Sequence, residues 1–259
     1  MRFNHPILLD CNGTYDTTVW KSLENYIENV PVNVQQCGVD ELGTSTKVRK
    51  SSYDFVKGCL QGNVIGYMKQ QNVQNIAPKL LETRAFPSFI LNTGWERELL
   101  LWVGSPSSKT GLHRDPQDSV LMQFKGTKRV HVLNPSYKQY LYENKQYDTG
   151  STDCCIDLDL VLSQDVEHLT KYPLAKEIRR DDILTFTIQI GQALFIPKGW
   201  YHQVETIGYE ASISVNEFIV DFAGYFFYER IRRLIRWMHN KGWVYKNRCQ
   251  CHLENVRMC

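Results

Sequence analysis

The chain has 259 residues, of which 42% are hydrophobic, 12% aromatic and 22% charged, enough apolar material for a sizeable core without staples. Thirty Lys and Arg stand against 28 Asp and Glu, and a formal net charge of +2 supplies no global attraction to nucleic acid or membrane. The longest uncharged run, 183–197, spans 15 residues interrupted by Thr and Gln, too short and polar for a bilayer span, and MRFNHPILLD lacks the apolar core of a secretory signal, so a soluble cytoplasmic or nuclear protein is expected.

Val19, Trp20, Leu23, Tyr26, Ile27 and Val30 recur at steps of three and four, which predicts a helix over Thr17 to Val30, ended by Pro31. A second helix is predicted at Tyr53 to Leu60. Residues 1–95 together read as a mixed helical and β covering region. From residue 96 to 221 the runs LLLWV, SVLMQF, RVHVL, ILTFTIQI, ALFI, YHQVET and ASISVNEFIV are short and rich in β-branched and aromatic residues, the texture of an antiparallel sandwich or barrel. An excursion at 136–180 interrupts them and reads as a surface insertion. Residues 222–259 form a helical basic extension, with Phe227, Ile231, Leu234, Ile235 and Met238 at helical steps and eight basic side chains against two acidic ones.

Eight cysteines show no regular framework, so reduced thiols are expected. The tail residues Cys249, Cys251, His252 and Cys259 are zinc-ligand types at a spacing unlike the common fingers, and they read equally as exposed thiols.

Among seven histidines, His113 begins an H-x-D step with Asp115. Residues i and i+2 share a strand face, so imidazole and carboxylate converge on one ion and need one more ligand. His202, in ALFIPKGWYHQVE, is the candidate that completes the two-histidine, one-carboxylate set suited to Fe(II). His131 and His168 read as satisfied core residues. The chain contains no G-x-S-x-G elbow, phosphate-binding P-loop or H-E-x-x-H helix, which removes the usual support for hydrolase and nucleotide-enzyme readings.

T-G-L-H-R-D at 110–115, F-K-G-T-K-R-V-H-V-L-N-P at 124–135 and G-Q-A-L-F-I-P-K-G-W-Y-H at 191–202 resemble, in order and spacing, the JmjC-type Fe(II) and 2-oxoglutarate-dependent oxygenases of the cupin superfamily. The resemblance covers about Tyr67 to Phe218 and is closest to the family's small stand-alone hydroxylases. It implies a double-stranded β-helix of the jelly-roll type, mainly β with flanking helices, in which His113, Asp115 and His202 hold Fe(II). It further implies that Thr110, Lys128, Tyr67 and Asn216 bind 2-oxoglutarate, the cosubstrate that is decarboxylated to succinate and CO2 as O2 is consumed. Read without the family, Lys128 is a solvated hairpin lysine beside Gly126, Thr110 a loop hydroxyl, Tyr67 a packed aromatic and Asn216 a strand-end hydrogen-bonder. The chain departs from the family pattern at Gln192, where an acid is common, and at Ser119, where an asparagine serves the cofactor in some members.

Substrate class is ranked as a protein side chain first, a tRNA base second and an N-methyl-lysine third. A non-catalytic binding module is the alternative from another class. For the C-terminal helix the readings are docking onto the β core, a homodimer contact as in some members of the family, and a nucleic-acid or anionic-membrane patch.

Overall fold

A computed structural model describes residues 3–36, 44–87, 98–144, 151–219, 230–245 and 255–257. Short elements come first: β1 (Ile7–Asp10), α1 (Thr18–Lys21), β2 (Pro31–Gln35), β3 (Thr44–Ser51), α2 (Ser52–Leu60), β4 (Tyr67–Asn72) and α3 (Val73–Ile76). Four strands follow in close succession, β5 (Glu98–Gly104), β6 (Lys109–Arg114), β7 (Asp118–Lys125) and β8 (Thr127–Leu133). After the insertion, with β9 (Thr152–Asp153), α4 (Leu158–Leu162) and α5 (Val166–Lys171), come β10 (Leu184–Ile188), β11 (Gln192–Ile196), β12 (Tyr201–Ile207) and β13 (Ser212–Ile219). The described chain closes with α6 (Arg230–Asn240) and β14 (Asn255–Arg257).

The strands make two antiparallel sheets, one ordered β1-β11-β7-β13-β5-β4-β2-β3-β14 and the other β10-β8-β12-β6-β9. Along β5 to β8 and again along β10 to β13 the chain crosses between the sheets, so that β5, β13, β7 and β11 face β6, β12, β8 and β10. This is the double-stranded β-helix, and β1 to β4 extend its larger sheet.

Period-two alternation sorts the side chains. Val120, Met122, Ile213 and Val215 face outward into a core shared with Trp20, Leu23, Phe55 and Leu80 of the covering elements; there Trp20 stacks on Phe124 with centroids 3.9 Å apart and donates its indole N–H to the Ala85 carbonyl at 2.8 Å. The alternate residues point into the barrel. Leu121, Val130, Val132, Ile188, Leu194 and Trp200 form its own apolar cluster, and the remaining interior is polar.

Two expectations are corrected here. The predicted helix at Thr17–Val30 is only α1 plus a 3-10 turn at Leu23–Tyr26. Glu28 N–H donates to the Ile76 carbonyl at 2.7 Å and Val30 N–H to Ser52 Oγ at 3.0 Å, and Pro31 biases Val30 toward extended backbone; Val19, Trp20, Leu23 and Ile27 are buried all the same, with Tyr26 and Val30 half-buried against them. The insertion is more than surface: Leu141, Ile156, Leu158, Val161, Leu169 and Tyr172 pack with Leu112 and Tyr201 as a further core on the outside of the smaller sheet. The helix at Tyr53–Leu60 is present as α2, with Ser51 Oγ accepting from Asp54 N–H at 3.1 Å.

Candidate active site

β6 and β12 pair antiparallel with His113 directly opposite His202, and their rings meet inside the barrel with centroids 4.1 Å apart. Asp115 lies one residue beyond β6. Its Oδ2 is 3.5 Å from His202 Nε2 and 4.0 Å from His113 Nε2, and one ligand atom from each of the three residues lies within 4.8 Å of the others. The second nitrogens are tied back: His113 Nδ1 stands 2.8 Å from the Gly111 carbonyl and His202 Nδ1 3.3 Å from the Trp200 carbonyl. A carbonyl accepts only from an N–H, so each Nδ1 donates and each Nε2 keeps its lone pair toward the centre. Burial, with His113 opposite, holds the His202 imidazole well below its usual pKa, which keeps it neutral and able to ligate.

Neighbouring contacts fix this arrangement. Gly199, with φ +78°, turns the chain so that its N–H donates to the Asp115 carbonyl at 2.8 Å, while Lys198 N–H donates to Asp118 Oδ1 at 2.7 Å. On the outer face of the same strands, Arg114 and its register partner Tyr201 both donate to Glu143 Oε1, at 2.6 and 2.7 Å.

The triad forms one end of a cavity whose lining includes Tyr67, Thr110, Lys128 and Asn216. Lys128 is 2% exposed. Its Nζ donates to Ser214 Oγ at 2.7 Å and to Tyr67 OH at 3.4 Å, and Thr110 Oγ1 donates to the same phenol oxygen at 3.5 Å. Among the described residues no carboxylate pairs with it. Burial, reinforced by nearby Lys69, pushes its ammonium pKa down to about 7. The solvated-hairpin reading of Lys128 is therefore overturned: Gly126 makes the turn, and Lys128 points inward because it occupies the barrel face of β8. Such an ammonium is a site for an anion's carboxylate. Asn216 Oδ1 and Trp102 Nε1 are buried without hydrogen-bond partners among the described residues, which suits a pocket built for a polar ligand.

Gly104 makes room for this arrangement. It is the register partner of Tyr67, and a Cβ there would stand 2.9 Å from Tyr67 Cδ2 and 2.2 Å from Ser108 Oγ. Gly104→Ala is expected to cost about 1–3 kcal/mol in urea unfolding, as overpacking does.

Sequence reasoning missed Trp102, Ser214 and Gln70 as cavity or site residues. The alternation of β5 and β13 was the signal for the first two; Gln70 enters only through its φ of +52° at an irregularity in β4. Gln192 takes up turn bonding, its Oε1 accepting from Gln189 N–H at 2.9 Å, and Ser119 is buried in the cavity wall. His131 and His168 are buried and hydrogen-bonded, as expected. The expectation of reduced thiols holds for Cys11, Cys59 and Cys154, whereas Cys155 is disulfide-bonded. Phe227 and the candidate zinc residues Cys249, Cys251, His252 and Cys259 lie outside the described residues. The described part of the predicted C-terminal helix is α6, where Ile231, Leu234 and Trp237 are exposed, so these side chains are not docked onto the β core. No helix among the described residues is long and apolar enough to cross a membrane.

Residues 21–222 match the family model described as a cupin-like domain. Among curated relatives, the chain is 34% identical over 116 residues to the tRNA wybutosine-synthesizing protein 5 of Mus musculus, covering 45% of this chain and 32% of that protein. It is 30% identical over 125 residues to the HSPB1-associated protein 1 homolog of Danio rerio, covering 48% and 26% respectively. It is also 30% identical over 115 residues to the lysine-specific demethylase JMJ31 of Arabidopsis thaliana, covering 44% and 19%. The alignments thus span about a third or less of these relatives' own length. With the family model matching most of its length and a His-Asp-His cluster at the paired strands, the chain belongs to the cupin-like domain family, as a JmjC-type member.

Proposed function

We propose that the protein is an Fe(II)- and 2-oxoglutarate-dependent dioxygenase that hydroxylates a protein side chain. The observation that carries this reading is the buried ammonium of Lys128, paired with no carboxylate among the described residues, in the same cavity as the His113, Asp115 and His202 ligand set. Iron would be held by those three residues, and the far carboxylate of 2-oxoglutarate by Lys128, Tyr67 and Thr110, with Asn216 beside it. When bound, iron and 2-oxoglutarate supply O2 activation coupled to decarboxylation, releasing succinate and CO2 and delivering one oxygen atom to a substrate C–H bond. The chain's own contribution is orientation and dryness: Leu121, Ile196 and Val204 wall the cavity with apolar surface, and the two carbonyl-tied imidazoles present fixed lone pairs.

The preference for a polypeptide rests on β6. A second cleft runs along its outer side, lined by Lys109 and Gly111 from the strand and by Gln35, Lys69, Asp157 and Leu160 around it. β9 pairs only with His113 and Arg114, so among the described strands Lys109–Gly111 keep an edge toward this cleft, and a strand edge recognises an extended chain through main-chain hydrogen bonds. Incubation with Fe(II), 2-oxoglutarate and a cell extract, followed by mass spectrometry, tests both parts. Gain of 16 Da on peptides supports the proposal, and loss of 14 Da or a change confined to nucleosides replaces the substrate class. Absence of 2-oxoglutarate turnover leaves the binding-module alternative.

A tRNA substrate is the second reading, supported by α6 and its flank: Arg233, Arg236 and Lys241 are exposed beside Trp237 and Trp243, whose rings meet at 5.1 Å, and such surfaces combine phosphate contact with stacking. We also propose that α6 mediates a homodimer through the exposed Ile231 and Leu234. Light scattering is expected to show a dimer that Leu234→Asp/Ile235→Asp converts to a folded monomer; a wild-type monomer at micromolar concentration rejects the dimer, and salt-sensitive RNA retention favours the second reading.

A further inference from the structure

Among the described residues, the indole nitrogen of Trp102 is a buried polar atom that no hydrogen-bond partner meets. The side chain is 8% exposed and lines the cavity, yet Nε1 has no partner among the described residues. An indole is a donor only, so it cannot rotate an acceptor into place as a hydroxyl does. A buried N–H left without an acceptor is costly, and tryptophan is normally buried where its N–H is met, as Trp20 is by the Ala85 carbonyl.

Its position says which end of the cavity it serves. Trp102 is the direct register partner of Ser214, whose Oγ accepts from Lys128 Nζ at 2.7 Å. Its ring lies 5.8 Å from that of Tyr67, the residue whose hydroxyl meets both Lys128 and Thr110. Trp102 therefore stands at the ammonium end, between two residues that contact Lys128. An ionised carboxylate accepts up to about four hydrogen bonds and donates none, which complements a cation and a lone N–H together.

We infer that Trp102 is a ligand-binding residue, its indole N–H donating a hydrogen bond to the far carboxylate of 2-oxoglutarate beside the Lys128 ammonium. This rests on the proposed 2-oxoglutarate reading of the cavity. The contact makes Trp102 a reader of chain length and charge, favouring 2-oxo acids with a second, terminal carboxylate.

The test compares 2-oxoglutarate with 2-oxobutyrate, which keeps the keto acid but lacks the terminal carboxylate, on Mn(II)-loaded protein by calorimetry. Trp102→Phe keeps an aromatic side chain and removes the N–H. It is expected to weaken 2-oxoglutarate binding on the order of tenfold and to leave 2-oxobutyrate binding unchanged. Independently of the variant, the indole proton of Trp102 in the wild-type protein, assigned through single Trp→Phe changes at the other tryptophans, should move downfield in nitrogen-15 correlation spectra with 2-oxoglutarate and stay in place with 2-oxobutyrate. Equal affinity of Trp102→Phe and wild type for 2-oxoglutarate, equal losses for both acids, or an unmoved indole proton overturns the inference. A wild-type protein that binds no 2-oxoglutarate overturns instead the reading on which it rests.

Discussion

His202→Ala is expected to abolish succinate formation from 2-oxoglutarate, by a factor on the order of a thousand or more, and to leave the fold standing. Loss of a partner that merely orients a metal ligand costs about 10- to 100-fold, and removing the ligand itself exceeds that. His202 occupies the centre of the site: it opposes His113 across the β6 and β12 register and lies nearer to Asp115 than His113 does. The fold has other supports, since the apolar clusters on both faces of the larger sheet and beneath the insertion contain none of the three candidate ligands. Truncation here should therefore shift the melting temperature by only a few degrees, about what 1 kcal/mol produces in a domain of this size. Calorimetric titration with a divalent metal and a succinate assay check the two halves separately. Wild-type turnover in His202→Ala would remove it from the metal site.

The strands and the H-x-D step were legible because both obey short-range rules, and His202 was legible through the ordered motifs of the family resemblance. Period-two alternation placed the β runs, H-x-D offered two ligands of the right chemistry, and the resemblance added His202. What was not legible depended on pairing between distant segments. Lys128 in K-G-T-K-R looks like a surface turn by local composition; the family resemblance assigns it to the cosubstrate, and the β8 register shows how its side chain enters the barrel. Trp102 looks like any strand tryptophan until it is seen that no acceptor among the described residues meets its nitrogen. The insertion looked polar because its apolar residues are spread over several short helical turns, and they become a core only when folded against Leu112 and Tyr201. The apolar steps of Thr17–Val30 marked the side chains that turn to the core, four of them buried and Tyr26 and Val30 half-buried. They did not reveal that Glu28 and Val30 satisfy their backbone through Ile76 and Ser52 instead of a helical turn.

Lys128 should behave oppositely in the free and ligand-bound protein. In the folded protein burial, then the charge of Lys69, lowers its pKa from 10.5 to about 7, while the unfolded chain retains an ordinary lysine. Between these values the unfolded state binds the extra proton, so the free protein gains stability as pH rises from about 7 to about 10; below pH 7 the buried charge costs roughly 5 kcal/mol. Lys128→Met should remove this slope and raise the stability of the free protein most at or below neutral pH, measurable by urea unfolding at several pH values. Ligand binding runs the other way. A dicarboxylate needs the protonated ammonium, so above pH 7 its binding takes up a proton and Kd rises about tenfold per pH unit. In Lys128→Met that dependence should disappear, and affinity at pH 6.5 should fall by about 3–5 kcal/mol because a carboxylate would be buried without its cation. Arg should rescue poorly, since a longer planar guanidinium does not fit the space that the compact ammonium fills beneath the Tyr67 ring. Equilibrium 2-oxoglutarate binding with Mn(II) in the metal site, followed from pH 6 to 9, measures both effects. Equal affinities and equal pH slopes in the two proteins would leave the lysine without a ligand, and its burial would then need a purely structural cause.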